Sequence, residues 1–378
     1  MNLLFISHDA TLTGAPTLLL NLIRLIKADK SYSVKIILKN GSGSLINDFK
    51  NEAELLVWKK PGTQNILQRI RRRLNASLQY KNRNQKKIQR WIDESDFVVS
   101  NTITNGDFLQ AFNFSKVKLV LSYIHELEIA TQFFTNKQDV KAVTSVSDHF
   151  FVPSRAVALH LMNNLNIPEE RVSHLNYYIP LAESAGSSPV NNARTFIVGL
   201  IGTLDWRKGA DILTVIVKSF FTKYPDADLL FVWKGADKNG IEYERIISEL
   251  RKLHLFDKVR FDPPSPEVND FYQSINVLLL ISKEDPYPLV VLEAANNFKA
   301  CICFKDAGGA PEFVKEDAGE VVPYLNIEDL TNRIFTYYND RNTGIEKGKV
   351  AYSRYLALHF NKELILSQFE DGLRKTSI

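Results

Sequence analysis

Two cysteines in 378 residues, Cys301 and Cys303, are too few for a disulfide framework. They stand two apart in the run KACICF, where a strand would put both on one face. They read as buried, inert thiols of a reducing compartment. The seven histidines show no paired ligand spacing, which removes the usual basis for a zinc site. No apolar run approaches the roughly 18 residues that span a bilayer. The opening MNLLFISHDA lacks the basic leader of a signal peptide and reads instead as a first strand. No G-x-G-x-x-G follows that strand, which argues against a dehydrogenase. Solenoid-length repeats and long low-complexity tracts are also missing. The expectation is a cytoplasmic chain, soluble or peripheral on the inner membrane face.

What is present is ordinary globular material: 45% apolar and 24% charged residues. At about 100–200 residues per domain, the length suggests two domains. The net charge of +4 is unevenly spread. Residues 1–185 carry 23 Lys and Arg against 16 Asp and Glu, or +7, and the remainder carries 24 against 27, or −3. Much of the excess lies in RIRRRLNASLQYKNRNQKKIQR (69–90), with nine basic residues and no acidic one. Such a stretch suits a solvated helix face or an anionic membrane surface, at about 1 kcal/mol per Lys or Arg near the lipid. No recognition motif accompanies the charge, so nucleic acid is not expected as a partner.

Short apolar strand candidates alternate with helical patterns. The first half offers NLLFIS (2–7), VKIILK (34–39), ELLVW (54–58), DFVVSN (96–101), VKLVLSYI (117–124) and HFFVPS (149–154). The series restarts with FIVGLIG (196–202) and continues through ADLLFVWKG (227–235), KVRF (258–261), NVLLLIS (276–282), ACICF (300–304) and GEVVPY (319–324). Alternation of this kind predicts parallel α/β sheets covered by helices on both faces. Two series predict two Rossmann-like domains, 1–185 and 190–358, joined through LAESAGSSPVNNART (181–195). The C-terminal stretch 360–378 contains an amphipathic helical pattern that would pack back on the first domain.

Ligands of open parallel sheets bind beyond the carboxyl ends of strands. Five loops at such positions stand out. SHDATLTGAP (7–16) combines Gly14, Ala15 and Pro16, with Pro16 suited to the first helical position and free amides suited to an anion. IGTLDWRKGADIL (201–213) places Arg207 and Lys208 beside Gly209, two cations where a helix is expected to open. The helix dipole disfavours cations there by about 0.3–1 kcal/mol, a conflict that an anionic ligand would remove. LLLISKEDPYPLVVLEAANNF (278–298) runs from a strand through Asp285 to a helix with Pro288 at its start. The amides of Leu289 and Val290 are then free, and Glu293 sits in an apolar run where a charge usually has a partner. Carboxylates here can accept hydrogen bonds from sugar and ribose hydroxyls. KDAGGAPEFV (305–314) and YIHELE (123–128), with His125 at a strand end, read alone as a turn and a structural histidine.

In this order and spacing, the motifs resemble the family-four retaining glycosyltransferases of the GT-B fold, also known as glycosyl transferases group 1. The resemblance covers most of the chain: the glycine loop SHDATLTGAP, the stretch HFFVPSRAVALHLMNNLNIPEERVSHLNYYIP (149–180), and the C-domain series IGTLDWRKGADIL, FVWKG, the acidic loop with its helix, and AGGAPEFV. It implies an acceptor-binding first domain and a second domain that binds a UDP- or GDP-linked sugar. Arg207 and Lys208 would hold the donor diphosphate, and Asp285 and Glu293 the donor sugar and the ribose. Thr203, Gly235, Tyr287, Leu289 and Val290 would line the donor site, and Gly14, Ala15 and His125 the acceptor side, with His125 near the transferred sugar. Catalytic roles would fall to His125, Asp285 and Glu293, without metal or cofactor.

Four positions depart from the pattern. Asp285 is one methylene shorter than the usual Glu, so neighbouring Glu284 could take its role. Pro288 replaces a glycine and removes an N–H, Thr203 replaces an Arg, and Asn276 replaces an Asp. The resemblance further implies front-face substitution with retention, onto a glycan or lipid-linked acceptor of bacterial surface polysaccharide. A nucleotide-sugar epimerase of the same fold and a non-catalytic assembly subunit are the alternatives. The epimerase lacks an identifiable acid–base set, and Lys208 and Glu293 argue against the subunit.

Overall fold

The computed structural model describes residues 1–29, 31–59, 76–181, 194–265 and 267–375, with the side chains of 76–83 excepted. Most of the expected linker 181–195 therefore lies outside the described residues, as do residues 69–75 of the basic stretch and its side chains through 83. The chain forms two compact units, Met1–Ile179 with Asn361–Ile378, and Pro180–Phe360.

The first unit holds β1 (Asn2–Ser7), β2 (Ser33–Asn40), β3 (Glu54–Lys59), β4 (Phe97–Asn101), β5 (Leu119–Tyr123), β6 (His149–Val152) and β7 (Val172–His174). They form one sheet in the order β3-β2-β1-β4-β5-β6-β7, every pairing parallel. Leu4, Ile6, Val98, Val120 and Phe150 meet in one core cluster. Continuous apolar strands are expected where helices cover both faces, and β4, β5 and β6 are buried at every position. The helix Gly14–Lys27 buries Leu18, Leu19, Leu22, Ile23 and Ile26, spaced on one stripe. Its last-turn cations Arg24 and Lys27 both pair with Glu52. It starts at Gly14, two residues earlier than expected. Pro16 is thus the third helical residue, still within the first turn where its missing N–H costs no helical bond.

The second unit holds β8 (Phe196–Ile201), β9 (Leu229–Lys234), β10 (Val259–Asp262), β11 (Val277–Leu280), β12 (Cys301–Phe304) and β13 (Gly319–Val322), in the order β10-β9-β8-β11-β12-β13. All five pairings are parallel. Val198, Leu200, Phe231, Leu279 and Ile302 belong to its core. Asn276 joins the two central strands. Its backbone N–H donates to Ile197 O, and its Oδ1 accepts the Ile197 N–H, both at 2.8 Å. Asn276, where the resemblance leads one to expect Asp, thus completes the sheet where the β8–β11 ladder is short. Cys301 and Cys303 are both buried and free.

Candidate functional site

In each unit the strand order reverses once, between β1 and β4 and between β8 and β11. Crevices form at such points because neighbouring strands send their following loops to opposite sides. Thr203, Arg207, Lys208, Asp285 and Tyr287 lie on the loops after β8 and β11, Gly14, Ala15, Leu289, Val290 and Glu293 on the helices that follow β1 and β11, and His125 and Gly235 after β5 and β9.

In the second unit, the turn after β8 is built by its own polar groups. Thr203 Oγ1 donates to Asp205 Oδ2 at 2.6 Å, and Asp205 Oδ1 accepts the Lys208 N–H at 2.9 Å. The turn joins the loop after β11 through Lys283 N–H to Arg207 O at 2.8 Å and the Arg207 guanidinium to Glu284 O at 3.4 Å. Across this seam Lys208 Nζ meets Asp285 Oδ2 at 2.5 Å. The two side chains are 16% and 8% exposed, so the pair is largely withdrawn from water. A short helical turn covers Ala210–Ile212, and the α-helix begins at Leu213. Arg207 and Lys208 therefore precede that helix instead of opening it. The expected conflict with its dipole does not arise, and the charge of Lys208 is met by Asp285.

Asp285 is held on its other side by backbone. Its N–H donates to Ala307 O at 2.8 Å, and its carbonyl accepts the Gly309 N–H at 3.1 Å. Gly308, at φ +129°, lets the loop after β12 lie against it; a Cβ there would stand 1.8 Å from Asp285 O. The bland turn AGGAP is thus the support of the acidic loop. Gly235 plays a similar part after β9, where a Cβ would meet Gly202 O at 2.7 Å.

Pro288 is the N-cap of the helix Leu289–Asn296, one position before the expected place, so Leu289 and Val290 are its first two residues. Glu293 lies in its second turn. Its Oε2 accepts the Tyr272 hydroxyl at 2.7 Å, and burial pushes its carboxyl above the usual range. This is the partner anticipated for a charge in an apolar run, and nothing in the local sequence named it. Tyr287, expected to line the donor site, has a buried ring and a hydroxyl 3.0 Å from His359 Nε2.

The first unit gathers a second polar group. The helix Gly14–Lys27 begins without a side-chain cap on its first amides, and Ala15 O accepts Asn101 Nδ2 at 3.0 Å. Asn101 Oδ1, at the end of β4, therefore faces His125 Nε2 at 2.7 Å. With the Asn101 amide nitrogen already donating, Nε2 of His125 carries the proton. Nδ1 is then the acceptor for Tyr177 Oη at 3.0 Å. Enclosure is the main cause that pushes the imidazole down to about 3, with neighbouring His8, where protonated, a lesser one, so His125 is neutral. Glu126 beside it is 8% exposed. Its Oε2 accepts the N–H groups of Ile103 (3.2 Å) and His125 (3.0 Å), while burial raises its pKa to about 7. Glu126 was not anticipated, although YIHELE places it directly after His125. Asn101, Tyr177 and Tyr272 come from distant parts of the chain and give no local signal.

Residues 187–352 match the family model described as glycosyl transferases group 1. The amylovoran biosynthesis glycosyltransferase AmsD of Erwinia amylovora is 26% identical over 154 residues, 38% of this chain and 43% of the relative. The chain thus spans less than half the length of this curated relative. Among solved structures, that of Anabaena HepE in complex with UDP superposes with a TM-score of 0.78 at 17% identity, covering 99% of both chains. HepE in complex with UDP-glucose gives a TM-score of 0.75 at 16% identity over the same share.

Proposed function

We propose that this chain, of GT-B fold and matched over residues 187–352 by the glycosyl transferases group 1 model, transfers a sugar from a nucleotide-diphosphate donor to a glycan or lipid-linked acceptor. The observation that carries the reading is the Lys208–Asp285 pair at the β8–β11 crevice, with the amides of Leu289 and Val290 and the carboxylate of Glu293 on the following helix. A cation, free amides and carboxylates match, in order, a diphosphate, its oxygens and the hydroxyls of ribose and sugar. A UDP-linked donor is favoured by the ligands of the HepE structures. The match to AmsD, a glycosyltransferase of amylovoran biosynthesis, favours a bacterial polysaccharide as the product class.

In this reading Lys208 turns from Asp285 toward the diphosphate, and Arg207 adds a second cation. Asp285 then accepts from the donor sugar, with Glu284 beside it as the alternative carboxylate. Glu293 accepts from the ribose. The bond from the anomeric carbon to the phosphate oxygen breaks as the acceptor oxygen attacks from the same face, and configuration is retained. The acceptor proton passes to the departing phosphate oxygen. The protein's part is fixed positive charge where negative charge develops, which needs no metal. Thr203, Gly235 and Tyr287 shape the donor loops. Gly14, Ala15 and a neutral, oriented His125 belong to the acceptor side, His125 exchanging one ring partner for a sugar hydroxyl. The basic stretch 69–90 would hold the enzyme at the inner membrane face.

Titration with UDP, GDP and ADP and their sugar conjugates, without and then with divalent metal, tests the reading. One nucleotide is expected to bind selectively in both conditions. Unchanged nucleotide-diphosphate affinity in folded Lys208→Ala would reject the diphosphate role, and full turnover in Glu293→Ala would reject the ribose role. For the membrane, flotation with anionic vesicles at low salt should fall when Arg71, Arg72 and Arg73 become Gln; no change would remove that part.

A further inference from the structure

Tyr272 lies on the short helix Asn269–Ser274 just before β11, is 0% exposed, and enters none of the motifs read from the sequence. A buried phenol needs an acceptor, and this hydroxyl has two within reach. Glu293 Oε2 is 2.7 Å away and Val290 O is 3.3 Å away. The short contact goes to the carboxylate, which is also the stronger acceptor when ionised. Both acceptors belong to the helix Leu289–Asn296, so the phenol fixes the first two turns of that helix from beneath. Among the described residues Glu293 Oε1 has no hydrogen-bond partner. One carboxylate oxygen is therefore anchored and the other is available.

We infer that Tyr272 is a positioning residue for the nucleotide's ribose, tying down one oxygen of Glu293 so that the other meets the ribose hydroxyls. This rests on the ribose role proposed above for Glu293. A carboxylate on a free helix side chain samples several rotamers, whereas one anchored at a single oxygen has its second oxygen already directed. Hydrogen bonding to the ionised form also favours that form against the burial that opposes it. Loss of the phenol would leave the carboxyl both less ionised and less directed.

The test compares the affinities of the wild-type protein, Tyr272→Phe and Glu293→Gln for UDP and for 2′,3′-dideoxy-UDP. The wild type should prefer UDP by about tenfold or more, as expected for a hydrogen bond to a charged group. Tyr272→Phe, nearly isosteric and expected to keep the wild-type circular dichroism, should lose most of that preference through weaker UDP binding. Its affinity for the dideoxy compound should stay within about twofold of wild type. A preference unchanged by Tyr272→Phe overturns the inference while leaving the ribose role intact. Equal weakening toward both compounds also overturns it, since that marks a packing role only. A wild type that does not distinguish the two compounds, or a Glu293→Gln protein that distinguishes them fully, removes the ribose role and the inference with it.

Discussion

Lys208 and Asp285 illustrate how much a single pair of side chains can carry. Each is mostly buried, and each would be a lone charge without the other. Replacing Lys208 by Met should therefore cost stability, by about 3–5 kcal/mol, beyond any loss of nucleotide affinity. Asp285→Asn added to Lys208→Met should recover much of that cost, because the stranded carboxylate is removed; urea unfolding of the two variants measures both effects. His125 and Glu126 supply a test of opposite sign. Glu126 has its pKa raised to about 7 by burial, so the folded chain holds that proton more tightly than the unfolded chain. Its contribution to stability is complete below pH 4.5 and is lost as pH rises toward 7, by about 3 kcal/mol. His125, pushed down to about 3, contributes stability that is present above pH 6.5 and lost on acidification. The slopes oppose one another between pH 4.5 and 6.5. The difference in stability between wild type and Glu126→Gln, followed from pH 4.5 to 7.5, should isolate the first; a pH-independent difference would show that Glu126 does not titrate there.

At the scale of elements, the helix Lys362–Leu373 shows a distant segment serving the first sheet. Phe369 stacks on Phe5 of β1 and on Phe151 of β6, with ring centroids 6.4 and 5.8 Å apart. Phe369→Ala should cost about 3–5 kcal/mol in equilibrium unfolding, as for a large buried aromatic replaced without repacking. The loop after β12 is constrained in another way. Gly308→Ala would force a Cβ into the Asp285 carbonyl at positive φ, displacing Asp285 and with it Lys208. It should therefore lower both thermal stability and nucleotide affinity, whereas a surface alanine elsewhere would lower neither. The strands themselves were legible: each of the twelve expected apolar runs overlaps one, because a fully covered parallel strand has to be apolar along its length. The three-residue β7 was not, since VSH carries no run of its own and is made a strand by pairing with β6.

For the whole molecule, nucleotide binding should leave a localised footprint. At about a hundred times its Kd, a nucleotide stabilises the state that binds it by about 2.7 kcal/mol. Hydrogen exchange with and without UDP should show new protection over 202–209 and 282–293, the loops after β8 and β11 and the helix that follows. Protection elsewhere without change in these segments would put the donor site in another place. The motif residues of that site were readable because strand, loop and helix are local patterns, and parallel sheets present the loops at their carboxyl ends. The partners of those residues were not readable. Asp285 for Lys208, Tyr272 for Glu293, and Asn101 and Tyr177 for His125 are separated by 77, 21, 24 and 52 positions. Side-chain hydrogen bonds and ion pairs across such separations depend on where the backbone returns, which no spacing rule encodes. By itself the sequence determined two parallel α/β series and the loops that bear charge and glycine, since periodicity and turn chemistry act over a few residues. Only the tertiary structure decided which carboxylate neutralises Lys208, which proton His125 keeps and which oxygen of Glu293 is left available, because each is set by groups that meet only after the sheets have formed.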